Sequence, residues 1–255
     1  MRQLSKHSRH SAIKLRRIID KNLSHFPNDI NNLSSVKHVI FDGTFIHGRK
    51  SIVAAMKAEE HEIFAGEYGI AENSIPQISA FLVSLKNRGL NPLSVTVDGN
   101  PQVIKAFKQI WPGIVIQRCV VHIQRQGLSW CRMKPKRKDT RELRNIFLKT
   151  NKIYNFKERN QYISDILAWE QQYGYSIARA PERGKIFSDI RRARSMLLRA
   201  LPNMFHYLKD QNIPSSTNGI EGYFSRLKSR YQSHRGLSPK KRKNYFAWYF
   251  YLCKR

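Results

Sequence analysis

Three carboxylates stand where the chain's patterns would let them work together. Asp42 follows Val39, Ile40 and Phe41, a β-branched and aromatic run that reads as a buried strand. Asp42-Gly43 marks where that run meets a turn or the next strand position. The design recurs at Val95, Val97 and Asp98-Gly99, so two strands ending in Asp-Gly are expected. The third acid is Glu221, in STNGIEGYFSRLK, which reads as the first turn of a helix. Three carboxylates on two strands and one helix suit divalent cations such as Mg²⁺ or Mn²⁺, which as hard ions prefer oxygen ligands. Taken singly, each has a plainer explanation: Asp-Gly is a common turn pair, and a first-turn Glu is stabilised by the helix dipole. Taken jointly, in a basic chain, they read as ligands.

The elements that would hold these acids are legible in order. After the first strand, in the stretch Val36–Ile46, SIVAAM at 51–56 and EIFAGEYGI at 62–70 read as two more strands, with turns at Gly48 and over 57–61; a meander is the economical arrangement. Pro76, Ile78, Phe81, Leu82 and Leu85 mark a helix ended by Gly89. The strand of Asp98, a helix over 103–110 and a fifth strand at 114–116 follow, giving βββαβαβ. That order starts antiparallel and continues through crossovers that require parallel neighbours. From about Ile123 the strand patterns stop. Leu143, Ile146, Phe147 and Tyr154, then Tyr162, Ile163, Ile166, Leu167 and Trp169, then Ile186, Ile190, Met196, Leu197 and Leu201 recur at helical spacing. The expected organisation is a basic N-terminal arm over 1–33, an α/β core over 34–124 and a helical insertion over 125–211. The last core helix falls in 212–236, and a basic aromatic tail occupies 237–255. In the helix of Glu221, Ser216 or Thr217 is the expected cap, and Ile220, Phe224, Leu227 and Tyr231 form the buried stripe. Asn218, Glu221, Ser225 and Lys228 form a second, polar face, and Arg226, Arg230 and Arg235 add charge suited to a phosphate backbone.

Charge sets the class of partner. Lys+Arg 46 against Asp+Glu 18 leaves a net +28, and a hydrophobic fraction of 41% argues for a folded chain. Such a field attracts a polyanion, with nucleic acid first because each neutralised phosphate releases a counterion. No apolar run approaches the roughly 20 residues needed to span a bilayer, and MRQLSKHSRH lacks the apolar heart of a signal peptide. A cytoplasmic, nucleoid-associated location is therefore expected. Three cysteines, Cys119, Cys131 and Cys253, fit reduced thiols rather than a disulfide framework.

In this order, the residues resemble the DDE transposases of Mutator-like bacterial insertion sequences. Asp42 on a first strand, Asp98 on a fourth, a helical insertion and then Asn218-x-x-Glu221 carry the likeness. Arg118-Cys119-Val120-Val121-His122 is similar to that group's Cys-x-x-His signature, and Lys228 falls where many DDE enzymes contact the transposon end. The resemblance covers roughly residues 36–236 and implies an RNase H-like core: a mixed five-stranded sheet flanked by helices, with the helical insertion between the second Asp and the Glu. It implies that Asp42, Asp98 and Glu221 hold Mg²⁺ or Mn²⁺, that water cleaves the transposon strand, and that the freed 3′-OH attacks target DNA. It also implies action as a homo-oligomer on DNA. Such transposases carry a DNA-binding region ahead of the first Asp, where this chain has about 35 residues, so a truncated or split reading frame is expected.

Two other readings share the composition. A non-catalytic nucleic-acid-binding protein, or an inactive truncated transposase, would use the same charge but gains nothing from carboxylates that repel phosphate. An RNase H-like nuclease would share the site and differ in substrate. Among the remaining residues, Cys119 fits a small buried side chain, and no second Cys/His pair completes a zinc site. His122 fits burial and contact with the scissile phosphate equally well. Trp130, Trp169 and Trp248 could stack on a base, with core packing favoured for Trp169. His47, His61 and His206 have no ligand spacing.

Overall fold

The computed structural model describes residues 2–27, 32–47, 50–179, 185–234 and 236–255. Gly48, expected at the first hairpin turn, and Arg235, expected among the helix cations, lie outside that set. The basic arm forms two helices, α1 (Arg2–His7) and α2 (Ala12–Leu23), the second capped by the Ser11 side chain. The sheet follows with β1 (His38–His47), β2 (Lys50–Lys57) and β3 (Ile63–Ile70), then α3 (Ile75–Asn87), β4 (Ser94–Val97), α4 (Pro101–Ile110) and β5 (Val115–Arg118). Its strand order is β3-β2-β1-β4-β5. β1 pairs antiparallel with β2 and β2 with β3, while β1 with β4 and β4 with β5 run parallel. This is the mixed RNase H-like sheet expected from the element order. One expectation is corrected: β1 does not end at Asp42, because its ladder continues through Asp42↔Ala54, Gly43↔Val53 and Thr44↔Ile52.

Alternation along the strands divides the apolar residues between two faces. Val39, Phe41, Val53, Ala55, Val95 and Val97 pack against α3 and α4. Ile40, Ile52, Ala54 and Met56 point the other way, where α10 (Asn218–Tyr231) and α11 (Pro239–Leu252) cover them. The aromatic C-terminal stretch is thus a core helix, with Phe246, Tyr249 and Phe250 buried.

Among the described residues between β5 and α10 the regular structure is helical: α5 (Val120–Cys131), α6 (Lys138–Lys149), α7 (Phe156–Trp169), α8 (Tyr175–Arg179) and α9 (Lys185–Ala200), with a π-helical turn at Glu170–Gly174. They close around a core of their own that includes Leu143, Phe147, Tyr162, Ile166, Trp169 and Leu197. Trp169 is buried there and donates its indole N–H to Asp139 O at 2.9 Å. Helix α5 begins before residue 124 and joins the two bodies: Val120 N donates to Ser215 O at 3.0 Å, while Ile123 lies in the helical core. A second tie is Gln117, buried on β5, whose amide donates to Met204 O at 2.7 Å and accepts from His206 N at 2.9 Å. No helix among the described residues is long and apolar enough to cross a membrane.

Candidate active site

Sheet register brings the two aspartates together. Ile40 pairs with Thr96 across the parallel β1/β4 ladder. Asp42 lies two residues further along β1 and Asp98 two residues beyond Thr96, just past the end of β4, which brings them side by side on strands that run about 4.8 Å apart. Each carboxylate is fixed by a backbone N–H on its Oδ1: Gly43 N on Asp42 and Asn100 N on Asp98, both at 2.8 Å. Among the described residues these are the hydrogen bonds each carboxylate makes. Burial pushes the Asp42 carboxyl up to about 7, and repulsion from Asp98 pushes it the same way, against the Gly43 N–H and the charge of His122.

A third acid beside them, Glu72, follows β3 in the loop that enters α3. Burial, then repulsion from Asp98, pushes it up to about 7. Its Oε1 is buried without a hydrogen-bond partner. Glu72 occupies the space next to Gly43, where any β-carbon would collide with its carboxylate, and its carbonyl accepts from Asn100 Nδ2 at 3.3 Å. In a chain of 46 Lys+Arg, none of the described ones forms an ion pair with Asp42, Asp98 or Glu72. Arg118 comes nearest, stacked on Gly99 (φ 111°) and donating from Nη2 to the Asp98 backbone carbonyl at 3.4 Å. A side chain at position 99 would meet both that left-handed backbone and the guanidinium.

Glu221 stands in a different environment on the same side of the sheet. The stripe of Ile220, Phe224 and Leu227 lays α10 on Ile40, Ile52 and Met56, which leaves Glu221 at the stripe's edge. Its Oε2 accepts from Arg125 Nη1 at 2.8 Å and its Oε1 lies 3.7 Å from His122 Nδ1. Hydrogen bonding to Cys119, its charge, and the charges of Asp42 and Glu221 raise His122 to about 9, against burial. His122 therefore stands as a cation that senses both halves of the site. Cys119, buried, accepts from Thr217 N at 3.3 Å and from His122 N at 3.5 Å. Burial opposes ionisation of that thiol, but the donors from His122 and Thr217 bring it below its ordinary value. Thr217 occupies the N-cap position of α10 without capping it: its hydroxyl lies 3.2 Å from His122 Nδ1 instead.

Of the residues expected at the site, Asp42 and Asp98 share one wall and Glu221 and His122 the other. Asn218 and Lys228 lie exposed on the Glu221 face of α10. Arg226 and Arg230 turn away from it, over the rings of Tyr223 and Tyr249. Trp248 is committed to the arm, donating to His25 O at 3.0 Å. Glu72 and Arg125 were not expected. Glu72 sits in a loop that has no periodicity, whereas Arg125 follows His122 by three residues and so shares its face of the helix that begins at Val120.

Among the described residues no three His, Cys, Asp or Glu side chains stand at metal-holding distance as they are placed. The donor set on the sheet still fits a hard divalent cation: all-oxygen, anionic, without a Lys or Arg ion pair among the described residues, and with the Glu72 oxygen orphaned beside it. No curated protein matches the chain. The family model described as "Transposase, Mutator family" matches residues 37–242, which include both strands of aspartates, the helical insertion and α10. The chain therefore belongs to the Mutator family of transposases.

Proposed function

We propose that this transposase cuts and joins DNA at the pocket bounded by Asp42, Asp98 and Glu221. The observation that carries the reading is the acidic wall: Asp42 and Glu72, both raised first by burial and without a Lys or Arg ion pair among the described residues, beside Asp98 in a chain of net charge +28. Retaining that repulsion is costly to the fold, and a divalent cation relieves it. Asp42 and Asp98 would hold Mg²⁺ or Mn²⁺, with Glu221 joining once Arg125 lets go of it. Such ions supply activation of the attacking oxygen and neutralisation of the leaving one in an in-line displacement.

The chain's own residues account for the rest. His122, cationic and 3.7 Å from Glu221, is placed to meet a phosphate oxygen. Lys228, on the Glu221 face, extends positive charge along the approach to the site. Arg125, more than half exposed, has a phosphate as its natural second partner when Glu221 is taken up elsewhere. Two ends joined to one target engage at least two copies of the chain. The test is cleavage and joining of a duplex carrying the element's own terminal sequence, with Mg²⁺ or Mn²⁺. Asp42→Asn, Asp98→Asn and Glu221→Gln should each abolish both steps while binding DNA. If DNA is bound but no divalent metal supports cleavage, the chain is a binder only.

A further inference from the structure

A cavity of about 720 Å³ opens beside Asp98, between α4, the end of β5, α5 and α9. Gly99 and Pro101 form its near edge, and Arg118, whose Nη2 holds the Asp98 carbonyl, is common to the cavity and the site. The charged residues of its lining are all cationic. Lys105 and Lys108 project from α4 at i, i+3, and Arg192 and Arg199 from α9 at i, i+7, so each pair lies on one helix face. Among the described residues no carboxylate lines it, although Asp189 lies 3.9 Å from Arg192 Nη1 at the cavity's edge. Between the charges lie Ile104, Met196 and the partly buried Trp130, an apolar surface among cations.

We infer that this cavity seats an unpaired DNA strand next to the reacting phosphate, its backbone on the Lys and Arg pairs and a base against Trp130 and Met196. Duplex DNA shows a protein its phosphates and keeps base faces stacked inside, so it would use the charges and leave the apolar surface idle. A single strand offers both groups together, as positively charged grooves with aromatic platforms exploit. The volume agrees: cavities of about 300–1,000 Å³ take ligands of nucleotide size, not a double helix. The inference rests on the proposed function only in taking DNA as the polyanion.

The test is equilibrium binding of a labelled oligothymidylate of about ten nucleotides and of a duplex of equal length, without divalent metal, over a range of salt. Lys108→Gln with Arg192→Gln, both exposed positions, should weaken single-strand binding about tenfold and lower the salt slope by about 1.4, for two lost phosphate contacts at about 0.7 each. Duplex binding should fall by no more than about threefold, as should both forms for Lys14→Gln with Arg17→Gln on α2, since these remove general charge only. Trp130→Leu should cost the single strand about tenfold and Trp130→Phe much less, because stacking survives in the latter. Equal losses on both DNA forms, or single-strand affinity within about twofold of the unaltered chain, would overturn the inference. Because no cleavage is read, a chain that binds the strand here yet never cuts DNA removes the proposed catalysis and leaves this inference standing.

Discussion

The two walls of the pocket solve opposite electrostatic problems. On the sheet wall, Asp42 and Glu72 are each raised to about 7, by burial first and then by repulsion from Asp98, and no described cation pairs with them. On the helix wall, Glu221 is already neutralised by Arg125 and faces a protonated His122, itself backed by Cys119 and Thr217. Both walls descend from one chain with more than twice as many basic as acidic residues, so the difference is positional. Strand alternation and the β1/β4 register set the aspartates side by side facing away from α3 and α4, where, among the described residues, no Lys or Arg forms an ion pair with either carboxylate. Helix α5 instead presents His122 and Arg125 one turn apart to α10. The sheet wall is built to receive positive charge, and the helix wall to hold an acid until something displaces its partner.

The largest expected effect breaks the comparison at the sheet wall. Asp98→Asn should lower metal-dependent DNA cleavage by at least about 10²–10³-fold, the scale of losing one pre-organised group that stabilises a transition state. The same substitution should raise the melting temperature in metal-free buffer, because it removes the group that repels Asp42 and Glu72. Calorimetry beside a cleavage assay reads both. A melting temperature that falls would mean the aspartate is structural.

The next effect separates the walls by pH. An acid raised in the folded state keeps a proton that the unfolded chain has lost, so folding grows less favourable as pH rises from the unfolded value to the folded one. For Asp42 that window runs from 3.8 to about 7, and for Glu72 from 4.5 to about 7. For His122, raised from 6.5 to about 9, stability is fully present below 6.5 and is lost as pH climbs through about 9. Melting temperature should therefore decline in two stages. Asp42→Asn should flatten the lower stage and His122→Asn the upper, and saturating Mg²⁺ should stabilise the native chain more at about pH 8 than at about pH 5. A single stage untouched by Asp42→Asn would show that the sheet wall is not under strain.

Much of this was legible in the amino-acid sequence because the signals were local. Apolar alternation before Asp42 and Asp98 carried the strands, and the i, i+4, i+7 stripe of Ile220, Phe224 and Leu227 carried α10 and the aim of Glu221. What stayed hidden depends on distant partners. Glu72 matters only because the loop after β3 passes over Gly43, and no spacing in the chain encodes that passage. The end of β1 was misjudged because Asp42-Gly43 looks like a turn locally, whereas β2 supplies pairing that carries the strand to His47. Thr217 looked like a cap, yet His122 and Cys119 compete for its polar groups and win. The aromatic run over 237–255 reads locally as a tail, and only the face of the sheet that it covers makes it a buried helix.

A smaller effect sharpens the helix wall. The Arg125–Glu221 ion pair has one partner more than half exposed, which places its strength at about 0.2–1 kcal/mol. Arg125→Gln should therefore lower the Mn²⁺ concentration at half saturation by about 1.4- to 5-fold in the absence of DNA, since Glu221 no longer has to leave a cation to meet another. Mn²⁺ titration followed by electron paramagnetic resonance gives that midpoint without any turnover. Unchanged metal affinity would mean that Glu221 never reaches the ion.

A last effect, on stability rather than on metal affinity, lies one layer behind. Cys119 Sγ accepts from Thr217 N, from Thr217 Oγ1 and from His122 N, which ties the start of α10 to the start of α5. Cys119→Ala removes the acceptor and leaves the buried Thr217 N–H unsatisfied, so it should cost about 1–3 kcal/mol. Cys119→Ser keeps an acceptor and should recover part of that loss. The pair distinguishes packing from positioning, because a cysteine that only fills space would be replaced better by alanine than by serine. If serine proves the better substitute and His122 titrates at lower pH in the alanine variant alone, followed by its ring resonances, then Cys119 sets the charge of the helix wall. The contrast between the walls would then originate in a residue that touches neither carboxylate of the sheet.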